Sequence, residues 1–243
     1  MTRQKETTRA GNALLEALSQ LDADLVGIAS LAEWKGTKLE ETALALLPEA
    51  RSVVVVAKET LREILDLTSP TRTQGAASTT DLVNADSAHV SGRLTWAAYD
   101  VSQAAHSLGF KALPLPSDDC PMDNRFMQAV FSYKHAAQAA GLGKLGWHSL
   151  VITPEYGPRV RLGVCLTEAE LPPGSESRVA FNCERCRKCI DICPAGAIKE
   201  PSPEETYRID KFACNTYRAA AGGCSECMRV CPPGRKMRKA RNA

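Results

Sequence analysis

The chain has 243 residues, of which 44% are hydrophobic, and a formal net charge of +2. That length suits one large domain or a medium domain with a small appendage. The near-neutral balance excludes a protein that seeks polyanions with its whole surface, so nucleic acid is not an expected partner. The opening MTRQKETTRA has no apolar stretch behind it, and no run approaches the length needed to cross a bilayer. No membrane partner is expected, and the cytoplasm is the expected location. In chain order, periodicity predicts an amphipathic helix over 11–22 (GNALLEALSQLD), a short strand over 24–31 (DLVGIASL) and a buried strand over 51–59 (RSVVVVAKE). Residues 67–92, rich in Thr, Ser, Ala and Asp, read as a long loop or lid. A helix over 94–110, a strand over 111–116 (KALPLP), an alanine-rich helix over 132–140 and strands over 149–154 and 159–167 follow. Helices alternating with strands point to an α+β fold. The segment LPPGSES (171–177) marks a boundary, giving domains 1–172 and 173–243.

Gly141, Gly143 and Gly146 stand in the spacing G-x-G-x-x-G. A dinucleotide-binding fingerprint needs a strand before the first glycine and a helix at the last. Here the order is helix, glycine turn, strand. Gly141 reads as the C-terminal cap of the preceding helix, and the dinucleotide reading fails on context.

Eight of the ten cysteines lie between residues 183 and 231. CERCRKCIDICP places Cys183, Cys186, Cys189 and Cys193 in the pattern C-x2-C-x2-C-x3-C-P, the bacterial ferredoxin motif, whose fourth cysteine serves the other cluster of a pair. Downstream, Cys214, Cys224, Cys227 and Cys231 supply the partner set, again ending in Cys-Pro. The same logic assigns Cys183, Cys186, Cys189 and Cys231 to one 4Fe–4S cluster, and Cys193, Cys214, Cys224 and Cys227 to the second. Structural zinc, which wants four ligands commonly as two C-x2-C pairs, fits this spacing less well. After Cys193-Pro194, the AGAI stretch can begin a short helix. Cys165, in a strand-like run, reads as a small buried apolar residue, and Cys120 as a loop thiol.

The run AAGLGKLGWHSLVITPEYGPRVRLGVCLTEAEL followed by the two-cluster cysteine set resembles the epoxyqueuosine reductase and reductive dehalogenase superfamily. DLVGIASL, LPEARSVVVVAKE and LGFKALPLP resemble that family's N-terminal region. The resemblance implies a nitroreductase-like α/β sandwich followed by a small ferredoxin-like domain with two 4Fe–4S clusters. It also implies a cobalamin bound base-off beside them, without a protein lower ligand. The glycine turn would then lie against the corrinoid, with Gly141, Leu142, Gly143, Leu145, Gly146, Ser149 and Arg159 as expected cofactor contacts. Tyr133 and His148 flank that turn and are the candidate catalytic groups for proton delivery. Arg159 and Arg161 could clamp an anionic group or form ordinary strand-edge salt bridges.

The chain departs from the family where epoxyqueuosine reductases carry a catalytic aspartate. Asp123 is displaced from that position and the matching proline is missing. DSAHVSG (86–92) is one residue too long for the histidine-ligated cobalamin motif D-x-H-x-x-G, so His89 reads as a loop histidine. The basic RKMRKARNA tail, with Arg235, Lys236, Arg238, Lys239 and Arg241, is either solvated or a dock for an acidic low-potential electron donor such as ferredoxin or flavodoxin. The expected function is reductive cleavage of a small-molecule substrate. The alternative is an electron-transfer protein that keeps a partner corrinoid protein reduced.

Overall fold

Four consecutive valines decide where the core sits. Strand β2 (Ser52–Glu59) buries Val53, Val54, Val55 and Val56 on both of its faces at once, which requires packing partners above and below it. The computed structural model describes residues 2–67, 79–118, 120–175 and 181–235. In chain order the elements are α1 (Thr2–Leu18), β1 (Leu25–Ser30), α2 (Lys38–Leu46), β2 (Ser52–Glu59), α3 (Arg62–Leu67), α4 (Thr79–Ser107) and β3 (Ala112–Leu115). A small hairpin, β4 (Met122–Asp123) with β5 (Gln128–Ala129), precedes α5 (Tyr133–Ala139). Then come β6 (Lys144–Leu145), β7 (Val151–Ile152), β8 (Val160–Thr167), α6 (Lys188–Ile192), β9 (Ile198–Lys199), β10 (Arg208–Ile209), α7 (Lys211–Ala220) and α8 (Glu226–Val230).

The chain divides into two compact units, neither of them continuous in sequence. The first comprises residues 1–58, 90–142 and 161–176; the second comprises 59–89, 143–160 and 177–243. The expected cut after residue 172 therefore describes only the last crossing. Two upstream segments, one of them carrying most of the glycine turn, cluster with the cysteines.

The first unit is built on a four-stranded sheet of order β1-β2-β8-β3. β1 pairs antiparallel with β2, and β3 with β8. Pro114, which has no N–H to give, sits on the edge strand β3 opposite Cys165. One face packs Val54 and Cys165 against Leu14 and Leu18 of α1 and against Ala98, Val101 and Ala105 of α4. Cys165 is there the small buried residue expected, its thiol pushed up to about 12 by burial. Val56 meets Val90, Leu94 and Ala97 of α4. A Cβ on Gly163 of β8 would lie 2.9 Å from the Leu94 carbonyl oxygen, so helix and sheet touch backbone to backbone there.

The lid expected over 67–92 is corrected in part. Residues 79–107 form one 29-residue helix, whose buried Val83, Val90, Leu94, Ala97, Val101 and Ala105 recur at helical spacing. Its polar Thr, Ser and Asp residues hide that stripe. The rest of the expected lid, 68–78, lies outside the described residues, as do Lys236, Arg238, Lys239 and Arg241 of the basic tail. The expected strand over 149–154 is shorter, only Val151–Ile152, and pairs with β6 in a separate ribbon. No helix among the described residues is long and apolar enough to cross a membrane.

Because Leu94 is fully buried between α4 and the sheet, L94A should lower unfolding stability by about 2–5 kcal/mol. W96A, on the exposed side of the same helix, should change it by less than about 0.5 kcal/mol. Urea midpoints of the two variants check the pair.

Candidate functional site

The glycine turn folds as a hairpin. β6 and β7 pair with Leu145 opposite Val151, and Gly146 N–H donates to the Leu150 carbonyl at 3.0 Å. Ser149 N–H donates back to the Gly146 carbonyl at 2.8 Å, and Ser149 itself has φ +63. This is a three-residue loop, Trp147–His148–Ser149: a tight turn followed by a left-handed residue. Downstream, Thr153 and Gly157 exchange both backbone hydrogen bonds, closing a second tight loop around the fully buried Tyr156.

His148 is buried to 4% exposure in this turn. Its Nδ1 accepts from Leu150 N–H at 3.1 Å, which assigns the proton to Nε2. That Nε2 is buried without a hydrogen-bond partner among the described residues. Burial drives the imidazole pKa down to about 4, so the ring is neutral at pH 7. His148 is therefore a hydrogen-bond donor in search of an acceptor, and a poor proton acid.

The glycines have a packing role. A Cβ on Gly143 would meet the Ile152 carbonyl oxygen at 2.4 Å, and one on Gly146 would meet His148 Cε1 at 2.8 Å. Gly141 has φ +75, as a helix cap should, and its Cβ would fall 2.0 Å from the Ser175 carbonyl oxygen. At all three positions protein atoms stand where a side chain would be, so each glycine lets the chain pack closely on itself. Leu142 and Leu145 are buried.

Arg159 is not a free anion clamp. It is 5% exposed, and its guanidinium donates to Glu59 Oε1 at 2.5 Å and to the Thr60 carbonyl at 3.3 Å. Arg161 bonds Ser91 Oγ at 2.6 Å and Asp118 Oδ1 at 2.8 Å. Both arginines thus form the structural ion pairs. The Glu59 partnership, across a hundred positions of sequence, has no local signal that reasoning from spacing could find.

Tyr133 belongs to the first unit and His148 to the second. The Tyr133 hydroxyl donates to the Pro116 carbonyl at 2.6 Å, and burial, with Cys120 beside it, holds its pKa well above the usual phenol range. It keeps its proton. Asp123 is on the exposed β4–β5 hairpin, in a two-pronged ion pair with Arg125.

The eight clustered cysteines all belong to the second unit. Cys231 is perturbed by Cys183, Cys186, Cys189 and Cys227. Cys214 feels Cys193 and Cys224; Cys227 feels Cys224, Cys214, Cys189 and Cys193. The eight thiols thus stand within electrostatic reach of one another in an overlapping chain of neighbours. Burial, and then neighbouring thiols, push Cys189 up to about 11 and Cys227 up to about 12. Any metal centre they hold must release those protons on binding. Among the described residues no three His, Cys, Asp or Glu side chains converge tightly enough for a single metal ion. After Cys193-Pro194 the chain makes a turn at Gly196, φ +56, and enters β9 rather than the short helix expected. That turn lets Ala197 N–H donate to Cys193 Sγ at 3.3 Å.

No family model matches the chain. In sequence it is 33% identical over 153 residues to a tetrachloroethene reductive dehalogenase of Desulfitobacterium hafniense, covering 55% of this chain and 26% of that protein. It is 27% identical over 200 residues to the epoxyqueuosine reductase of Bacillus subtilis, covering 77% and 48%. The chain thus spans a quarter to about half the length of these relatives. In three dimensions it matches a reductive dehalogenase whose structure suggests a mechanism for B12-dependent dehalogenation, with a TM-score of 0.66 at 19% identity, over 92% of this chain and 31% of that one. It also matches an epoxyqueuosine reductase solved with an epoxyqueuosine-modified tRNA stem loop, with a TM-score of 0.57 at 20% identity, over 94% and 66%. At these identities the likeness establishes a shared fold.

Two predictions follow from the buried groups. His148 is neutral when folded, whereas an unfolded histidine takes up a proton below about 6.5. The unfolded state then binds more protons, so stability is full above pH 6.5 and falls toward pH 4, by on the order of 3 kcal/mol. Urea unfolding at pH 7 and pH 4.5 should show this loss in the wild type and a clearly smaller one in H148Q. At the second site, R159A removes the buried Arg159 guanidinium from its ion pair with Glu59 and should cost roughly 3 kcal/mol. The double variant E59Q/R159M should recover most of it.

Proposed function

Because the chain is a relative of the reductive dehalogenases and epoxyqueuosine reductases, we propose that it is an iron–sulfur, cobalamin-dependent reductase. It takes single electrons from a low-potential donor such as ferredoxin or flavodoxin and passes them through two 4Fe–4S clusters toward a base-off corrinoid, for reductive cleavage of a substrate. The observation that carries this reading is that all eight clustered thiols fall in one compact unit, with Cys231 within electrostatic reach of Cys183, Cys186 and Cys189, and Cys227 of Cys193, Cys214 and Cys224. That proximity supports the crossed assignment of the ferredoxin motif, in which the last cysteine of each run serves the other cluster.

His148 fits a bound group as well. Its buried Nε2–H, without a partner among the described residues, would bond an acceptor on a cofactor or substrate. The corrinoid, when bound, supplies the nucleophilic and radical chemistry of reduced cobalt, and the protein's task is to bind and orient it. His148 holds its proton at Nε2 and positions an acceptor there; its low pKa suits a neutral donor. Tyr133 keeps its proton on the Pro116 carbonyl and is the second candidate donor. Ser149, left-handed at φ +63, fixes the angle at which the turn presents His148.

A second reading has its own support. Asp123 is half-buried and engaged by Arg125, and Arg159, expected among the cofactor contacts, is held by Glu59. Both favour an electron-transfer or reductive-activation protein that reduces a partner corrinoid protein. Substrate class stays wider than a small molecule, because a relative of the same fold has been solved with a tRNA stem loop.

Anaerobic purification with added cobalamin, followed by iron, sulfide and cobalt analysis, separates these readings. About eight irons and one cobalt per chain are expected for the reductase; eight irons without cobalt select the electron carrier. C231A and C227A should each remove about half of the iron but different halves, so that the clusters left behind give distinct spectra. Identical residual spectra would contradict the crossed assignment.

A further inference from the structure

Each of the two cysteine runs carries an arginine–glutamate pair, and the pairs differ in burial. In the first run Arg187, between Cys186 and Cys189, bonds Glu200 out in solvent, the two side chains being 47% and 55% exposed. In the second run Glu226 stands between Cys224 and Cys227 with its side chain only 7% exposed, against 21% for its partner Arg229. Arg229 Nη2 donates to Glu226 Oε2 at 2.6 Å, and Arg229 Nε donates to Oε1 at 3.2 Å. Glu226 is the one buried carboxylate-bearing residue among the described residues.

Helix α8 sets this pair up. Arg229 N–H donates to the Ser225 carbonyl at 2.9 Å, closing the helical turn that brings positions 226 and 229 to the same side. A guanidinium bonded to both oxygens of one carboxylate holds its positive charge directly on the negative one. Glutamate is almost never buried unless it is paired, and here the pairing lies inside a run of cysteines. Buried charges act on their neighbours with little screening, whereas Arg187 and Glu200, bathed in solvent, act weakly.

We infer that Arg229 is the charge-compensating residue of the cluster assigned to Cys193, Cys214, Cys224 and Cys227: by pairing with Glu226 it cancels a buried negative charge that would oppose reduction there. The inference rests on the cluster reading given above. One-electron reduction by the external low-potential donor adds one negative charge to the cluster and its sulfurs, with no bond made or broken. A bare carboxylate one residue from one ligand and two from another disfavours that added charge and lowers the potential; the ion pair removes most of the effect. The solvated Arg187–Glu200 pair exerts little such control on the other cluster.

Potentiometric EPR titration of the whole protein with dithionite compares R229Q with R229K. R229Q leaves Glu226 uncompensated and should lower the midpoint of one cluster, the one that C227A removes, by about 59 mV or more, a tenfold fall in its one-electron reduction constant. R229K keeps the charge and should stay near the wild type, and R187Q should leave both midpoints in place. E226Q removes the carboxylate and keeps Arg229, so it should raise the same midpoint, which decides the matter even where R229Q fails to fold. Equal midpoints in R229Q and R229K overturn the inference alone. So does an E226Q midpoint at or below that of the wild type, or a shift in R187Q as large as that in R229Q. A shift shared equally by both clusters does the same. A protein without two reducible clusters overturns the cluster reading, and this inference with it.

Discussion

The cysteine segment cannot hold itself together by burying apolar surface. Among the described residues from 181 onward, the buried side chains are Ala197, Ile198, Ser225, Glu226 and Cys231, and neither α6 nor α7 buries a single residue. A stretch this poor in core needs staples, and the staples available are thiols. Two cubes bound by crossed cysteines would tie α6 to α8 and the first motif to the second, so that metal binding becomes folding energy. Everything proposed for function depends on that exchange.

The first unit is stabilised in the ordinary way, by valines buried on both faces of β2 and by α4 lying directly on Gly163. The second unit draws in the β6–β7 hairpin and Arg159, with its buried pairing to Glu59. Breaking the chain into units by contact rather than by sequence explains why the glycine run matters. Gly141 serves the first unit as a helix cap, while Gly143 and Gly146 serve the second as hairpin positions. One motif in sequence is two structural devices.

Much of this was legible in the residues. The valine run, the alternation around Cys165 and the cap at Gly141 follow from local periodicity and conformational freedom, and the two cysteine runs carry their chemistry in their spacing. What was hidden is long-range. Nothing near Arg159 announces Glu59, nothing near Gly143 announces the Ile152 carbonyl, and the apolar stripe of α4 is diluted by Thr, Ser and Asp until its register against β2 is known.

The central claim is that the eight thiols hold two neighbouring cubes rather than isolated metal ions. Mössbauer spectroscopy of protein assembled with 57Fe, before and after full reduction, tests it most directly. The account predicts that all of the iron falls in the 4Fe–4S pattern and that reduction produces two centres whose spins interact. Iron in mononuclear sites, or a single cluster with four thiols left free, would contradict it.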